Sequence, residues 1–274
     1  MRDRKVAARK GKAHQRPATG PHKRPPRIGL ARALSKLGYC SRTTARKLIA
    51  AGRVRVDGRV KRDPEAPVLL QRNLIEVDGQ LVTSAPRVYL MLHKPRGLVT
   101  TAADERQRGT VYDCLAGAQL PWVSPVGRLD RESEGLLLFT NDHAWAAGLL
   151  DPASHVWRTY CVAVKGQVTP EQLRVMKDGI VTPSGETLAV RRARVIGQTA
   201  AGPVLELVLD EGKNRHIRRL LAALELHVLR LVRVAFGPLR LGELQPGAWR
   251  HLTKEEVQKL AKAIAPHLRD GLFE

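Results

Sequence analysis

Beyond the first 27 positions, short apolar stripes switch between helical and alternating periods. Leu30, Leu34 and Leu37 recur at helical spacing with Gly38 as a stop, which predicts a short helix. Ser41 is placed to cap a second helix with a buried stripe of Ala45, Leu48 and Ile49, ended by Gly52. Arg42 and Arg46, four residues apart, are neighbours on its other face. Val54 and Val56 then alternate with Arg53 and Arg55, and Asp57-Gly58 is a strong hairpin turn. Ile75 to Val77 followed by Asp78-Gly79 repeats that pattern and closes a small sheet.

After a connection at Thr83 to Arg87 the chain becomes richer in strands. Strands are predicted at Val88 to Leu92, Leu136 to Thr140, Tyr160 to Val164 and Val204 to Leu209. The first leads into a basic turn, His93-Lys-Pro-Arg-Gly97. Thr169 with Gln172, and Pro170 at the first helical position, open a helix that ends at Gly179. Gly212 precedes a helix with Ile217, Leu220, Leu221 and Leu224 on one face, and Thr253 with Glu256 opens a last one. Strands outnumber helices and do not alternate strictly with them, so the expected class is α+β. No internal repeat of fixed period is present. The expected organisation is a basic arm at 1–27, a small module at 28–83, a larger domain at 88–252, and a terminal helix and tail at 253–274.

Charge adds a partner class. The 274 residues carry 47 Lys and Arg against 26 Asp and Glu, a formal net charge of +21. Such an excess gathers polyanions and gains affinity by releasing counterions from a phosphate backbone, so nucleic acid is favoured. A membrane surface fits less well, because no long amphipathic basic helix is present. No apolar run approaches the roughly 20 residues that cross a bilayer, and the N-terminus lacks a secretory apolar stretch. Residues 1–27 hold ten basic residues and one acid with almost nothing apolar, which predicts a disordered arm. Cys40, Cys114 and Cys161 are scattered and odd in number, which argues against a disulfide framework and a zinc site and fits a reducing cytoplasm.

Two short helices followed by Gly52-Arg-Val-Arg-Val-Asp-Gly58 resemble the S4 RNA-binding domain, over residues 28 to about 83. That resemblance implies RNA contact by Arg42, Arg46, Lys47, Arg53 and Arg55, chiefly to phosphates, which position a protein and specify little.

The stretch Gly127-Arg-Leu-Asp-Arg-Glu-Ser-Glu-Gly-Leu-Leu-Leu-Phe-Thr-Asn-Asp142 places Asp130 in a charged loop that runs into an apolar strand. By itself an Asp there is usually a turn residue. The stretch nevertheless resembles the catalytic motif of RsuA-type ribosomal RNA pseudouridine synthases over sixteen contiguous positions. The other motifs follow in order: His93-Lys-Pro-Arg-Gly97, Arg158-Thr-Tyr160, Glu211-Gly-Lys-Asn-Arg-His-Ile-Arg-Arg-Leu220, and Leu229-Arg-Leu-Val-Arg-Val-Ala-Phe-Gly237. With the S4-like module the likeness covers residues 28 to about 252.

The resemblance implies a mixed, mainly antiparallel sheet flanked by helices, and isomerisation of uridine to pseudouridine with no cofactor and no metal. It makes Asp130 the nucleophile, Arg218 its partner cation and Tyr160 the stacking platform for the uracil. Leu231 becomes the pocket floor, and Arg128 fills the space of a flipped-out nucleotide. Lys94, Arg96, Lys213 and Arg215 become phosphate or substrate contacts. From the residues alone, Arg218 also reads as a surface arginine, Tyr160 and Leu231 as core residues, and Arg128 as a simple phosphate contact. The family's arginine after the glycine is Lys213 here, which keeps the charge and weakens only a bidentate contact. Glu132 and Glu134 are given no role, since residues so close in one loop rarely flank a sugar from opposite sides.

The implied partner is ribosomal RNA, with the large subunit favoured, or a pre-ribosomal particle, met by a monomer in the cytoplasm. The main alternative is a non-catalytic S4-domain RNA-binding or ribosome-assembly protein. An RNA methyltransferase or tyrosyl-tRNA synthetase would need a glycine-rich cofactor loop or nucleotide-binding signatures, and the sequence offers neither.

Overall fold

The computed structural model describes residues 27–182 and 185–264. The predicted basic arm, apart from its last residue, and the predicted tail beyond Ile264 lie outside the described residues.

The N-terminal part contains β1 (Ile28–Gly29), α1 (Leu30–Lys36), α2 (Arg42–Ala50), β2 (Val54–Val56), β3 (Arg59–Lys61), β4 (Pro67–Val68), β5 (Ile75–Val77) and β6 (Gln80–Leu81). The Ser41 hydroxyl accepts from Thr44 N at 2.9 Å and satisfies a free donor of the first turn of α2. Asp57 and Gly58 both have positive φ, the signature of a type I′ turn, and join β2 to β3. The sheet order is β3-β2-β5-β6. Leu30, Leu34, Ala45, Ile49, Val54 and Ile75 are buried together in a local core. The carbonyls of Leu37 and Gly38 accept from Ala85 N (3.0 Å) and Trp122 N (2.8 Å), which ties the end of α1 to the larger part of the chain.

That larger part contains β7 (Tyr89–Lys94), β8 (Ser124–Pro125), β9 (Glu134–Thr140), α3 (His143–Leu150), β10 (Arg158–Lys165), α4 (Pro170–Asp178), β11 (Ile180–Val181) and β12 (Thr187–Leu188). Then follow β13 (Arg192–Thr199), β14 (Gly202–Leu209), α5 (His216–Ala223), β15 (His227–Phe236), β16 (Leu239–Arg240), β17 (Trp249–His251) and α6 (Lys254–Lys262). Nine strands form one sheet in the order β13-β14-β10-β15-β9-β7-β17, with β16 on β15 and β8 on β9. Only the β15–β9 pairing is parallel, so the sheet is mixed and mainly antiparallel, and the class is α+β as expected.

Both faces of β7 and β9 are covered, which explains their unbroken apolar runs. Leu90, Leu92, Leu137 and Phe139 pack on one side. Met91, Leu136 and Leu138 pack on the other, against Trp145 and Leu149 of α3 and Leu260 of α6. A further core joins Val162, Val164, Leu205 and Leu207 of the sheet to Met176 of α4 and Ile217, Leu220 and Leu221 of α5.

Besides several strands of two or three residues, three longer elements have no counterpart among the predicted ones. Helix α3 is apolar around most of its circumference and shows no stripe. Strand β13 sits at the sheet edge, exposed along nearly its whole length, so no buried face shows in its sequence. The ten-residue β15 carries Arg230 and Arg233, which break its apolar pattern, although Arg233 is buried.

Candidate active site

The loop between β8 and β9 is held by its backbone, carbonyl by carbonyl. Leu129 O accepts from the Thr100 hydroxyl at 2.7 Å. Asp130 O accepts from Ser133 N at 3.0 Å, and Arg131 O from Gly97 N at 2.8 Å. Glu132 O accepts from Arg218 Nη2 at 2.8 Å, and Ser133 O from Lys94 Nζ at 2.8 Å. Five consecutive acceptors are thus satisfied by side chains and backbone from β7, the following turn, α5 and the loop itself. Among the described residues nothing hydrogen-bonds the Asp130 carboxylate, so the backbone is fixed while the acid stays available.

Asp130 lines a cleft of about 260 Å³ together with Arg128, Tyr160, Lys213, Arg215, Arg218 and Leu231. That volume lies just below the roughly 300–1,000 Å³ typical of small-molecule sites and suits one heterocycle with its sugar. The structure therefore brings together seven of the nine substrate-site residues read from the sequence. On the cleft side of the sheet, β10 and β15 pair with Tyr160 opposite Arg233 and Val162 opposite Leu231. Leu231 is buried in the core and also lines the cleft. Arg128 and Arg215 are exposed at the rim.

Arg218 stands in the cleft as expected but forms no ion pair with Asp130. Its guanidinium reaches the Glu132 carbonyl instead, so it acts on Asp130 through the loop and through its charge. Burial lowers its pKa first and the neighbouring Arg215 second, while the charges of Asp130 and Glu132 oppose the shift.

Lys94 requires a correction. It was expected to contact phosphate, yet its side chain has no solvent exposure. Its ammonium donates to the carbonyls of Pro95 (2.9 Å), Arg131 (3.4 Å) and Ser133 (2.8 Å). Strand β7 directs it beneath the Asp130 loop, away from solvent and from any phosphate. Burial pushes its pKa down to about 8, against the opposing charges of Glu134 and Asp130. Arg96 also lies outside the Asp130 cleft; it is exposed and pairs with Glu132 at 3.1 Å. Glu134 is buried and pairs with Arg230 at 2.8 Å, a structural use. Lys213 is engaged by Glu211 (2.8 Å) and Thr187 O (2.9 Å).

Arg42, Arg46, Lys47, Arg53 and Arg55, the five expected RNA contacts of the N-terminal part, are all exposed. Arg53 is neutralised by two hydrogen bonds to Asp78, at 2.8 and 2.5 Å, and Arg46 pairs with Glu65 at 2.5 Å. Arg42, Lys47 and Arg55 have no acidic partner among the described residues.

Sequence reasoning missed Arg158, Arg233, Phe236 and His216 as cleft residues. All four stood inside quoted motifs. For the three on strands the signal is cross-strand register, since Arg158 pairs opposite Phe236 and Tyr160 opposite Arg233, whereas His216 opens α5. Among the described residues no group of three or more His, Cys, Asp or Glu could hold a metal, and no helix is long and apolar enough to cross a membrane.

A carboxylate with no hydrogen-bond partner among the described residues, a half-buried tyrosine and rim cations thus share one cleft, with a small basic module in front. Comparison with known proteins names the family. Residues 88–223 match the family model described as RNA pseudouridylate synthase, and residues 28–73 match the S4 domain. An RNA pseudouridine synthase of Aquifex aeolicus is 35% identical over 237 residues, covering 86% of this chain and 95% of that one. The ribosomal large subunit pseudouridine synthase B of Bacillus subtilis is 35% identical over 240 residues, covering 87% and 97%. A crystal structure of a pseudouridylate synthase superposes with a TM-score of 0.60 at 26% identity, over 85% of this chain and 99% of that one. The chain belongs to the RNA pseudouridine synthase family, in its RsuA-type branch with an N-terminal S4 domain.

Proposed function

We propose that this synthase isomerises uridine to pseudouridine in ribosomal RNA of the large subunit, with Asp130 as nucleophile on a nucleotide flipped out of its helix. The observation that carries the chemical part is the Asp130 carboxylate, free of hydrogen bonds on a loop whose five carbonyls are all held. Preorganisation of this kind lowers the reorganisation needed when the reaction begins. The substrate part is favoured by the Bacillus subtilis relative, whose name specifies the large subunit.

In this reading the glycosidic bond breaks, the uracil turns over Tyr160, and its carbon 5 bonds the same ribose carbon. An ionised carboxylate serves whether it attacks the sugar or takes a proton from it. Arg218 and Lys94 position the acid, Leu231 closes the pocket below the base, and Arg128 occupies the space the nucleotide leaves. Arg215 and Lys213 meet phosphates at the rim. Residues 28–83 serve as the RNA-binding domain, acting mainly through Arg42, Lys47 and Arg55, and residues 88–252 as the catalytic domain. The partner is ribosomal RNA or a pre-ribosomal particle, met by a monomer in the cytoplasm.

Mapping pseudouridines in ribosomal RNA with and without this protein tests the assignment. The expected result is loss of one or a few sites in large-subunit RNA, restored by the wild-type protein. Sites lost only from the small subunit, or none lost, would contradict it.

A further inference from the structure

The floor of the Asp130 cleft holds more positive charge than the protein balances. Arg158 on β10 and Arg233 on β15 are 8% and 3% exposed. Their guanidinium carbons lie 5.2 and 5.5 Å from the centre of the same Phe236 ring. A register shift between Thr159 and Tyr160 sets Phe236 opposite Arg158 and Arg233 opposite Tyr160, which gathers the three side chains in one place. The hydrogen bonds they make go to neutral carbonyls: Arg158 Nη1 to Asp210 O at 2.9 Å, and Arg233 Nε to Leu136 O at 2.7 Å. Among the described residues no carboxylate pairs with either, and the Asp210 carboxylate pairs with Arg191 instead. Arg233 Nη2 is buried with no hydrogen-bond partner at all.

Two adjacent buried cations that no carboxylate salt-bridges are costly, since the Asp210 charge acts on Arg158 only from a distance, and a ligand that brings negative charge offsets that cost. Both line the cleft of Asp130, and both flank Tyr160: Arg158 two residues away on the same strand face, and Arg233 directly across. Phosphates have exposed partners at the rim in Arg128 and Arg215. Arg158 and Arg233 flank the tyrosine on which the proposed reading stacks the base, so in that reading the base rather than a phosphate is what they meet.

We propose that Arg158 and Arg233 form a fixed positive floor that stabilises the uracil anion released when the glycosidic bond of the target nucleotide breaks. This rests on the reading of Asp130 and Tyr160 given above. As the bond from C1′ to N1 breaks, its electron pair goes to N1 and spreads over the ring to O2 and O4, while the Asp130 carboxylate supplies the pair that bonds C1′. Carbon 5 then bonds C1′ and expels the carboxylate, carbon 5 loses its proton, and N1 gains one. Charge on the base is therefore transient, and groups already oriented towards it need no rearrangement when it appears.

The test uses the full-length protein, a stem-loop RNA carrying the mapped uridine, and the same RNA with 5-fluorouridine at that position, whose ring anion is intrinsically more stable. Arg158→Met and Arg233→Met remove the charge at similar length, and the two Lys variants keep it. On uridine RNA each Met variant is expected to lose about 10²–10³-fold in single-turnover rate, with RNA affinity and its salt slope unchanged. The Lys variants should recover at least part of the loss. On 5-fluorouridine RNA carbon 5 carries fluorine in place of the proton it would lose, so the step read there is consumption of the fluorinated nucleotide rather than pseudouridine formation, and the deficit should shrink by at least tenfold. This comparison is internal to each variant, so a partly destabilised protein still reports it. Equal deficits on both RNAs would reduce the pair to a structural role, and a flattened salt slope with an unchanged rate would reassign it to phosphate; either overturns the proposal. Asp130→Asn is run alongside. Activity in that variant removes the underlying reading, whereas an inactive Asp130→Asn beside indifferent arginine variants removes only this inference.

Discussion

Lys94 Nζ donates a 2.8 Å hydrogen bond to the carbonyl of Ser133 from a side chain that has no contact with solvent. The same ammonium reaches Pro95 O and Arg131 O, so one buried charge fixes the loop of Asp130 from behind while Arg218 holds Glu132 O from the cleft side. Lys94→Met keeps the length and removes every donor. Each buried acceptor left unsatisfied costs about 1–3 kcal/mol, so the variant is expected to lose roughly 2–4 kcal/mol in urea unfolding, together with most of its turnover. A variant with wild-type midpoint and rate would show that the loop does not need this anchor.

The same residue predicts a pH profile. Burial lowers the Lys94 pKa from its ordinary 10.5 to about 8. The folded protein sheds this proton before the unfolded chain does, so the group's contribution to stability rises between about pH 8 and 10.5. Activity runs the other way, because the neutral amine loses a donor and the positive charge beside Asp130. Single-turnover rates should therefore fall through about pH 8 without a loss of stability from this group, and the residual rate of Lys94→Met should lack that limb. Persistence of the limb in the variant would assign it to another residue.

Gly135 makes a second close approach. Its φ is +107°, and a Cβ built there would lie 2.3 Å from the Arg233 carbonyl oxygen across the parallel β9–β15 pairing. Gly135→Ala is expected to cost at least about 1–3 kcal/mol from the backbone conformation alone, and more from the forced separation of β15, which carries Leu231 and Arg233. Thermal unfolding and turnover should fall together; an unchanged midpoint would mean that the strands separate freely.

Much of this was legible because the cleft residues sit in contiguous motifs: Asp130, Tyr160 and Arg218 each belong to a recognisable stretch, and the type I′ turns and helix caps are local signals. Long-range register is not local. Lys94 stands in a basic turn and reads as a surface cation, since nothing in His93-Lys-Pro-Arg-Gly97 reveals that the loop of Asp130 folds over it. Arg233 interrupts the apolar pattern of β15, and only the pairing with β10 sets it opposite Tyr160 in the cleft lining. Arg218 was expected to pair with Asp130; it lines the same cleft, but the atom it holds is the backbone carbonyl of Glu132.

On the S4 domain the structure sorts the cations. Arg53 and Arg46 are already paired with Asp78 and Glu65, whereas Arg42, Lys47 and Arg55 are exposed without acidic partners. Replacing those three with Ala is expected to weaken RNA binding and lower the slope of log affinity against log salt by about 2–3. Replacing Arg46 and Arg53 should lower it less. The reverse order would place the RNA on another face.

The most direct test of the account is Asp130→Asn, measured for pseudouridine formation under single turnover and for RNA affinity on the same substrate. The predicted result is no detectable product with affinity within a few fold of wild type. Wild-type product formation in that variant would contradict the assignment of Asp130, and with it the mechanism built on its carboxylate.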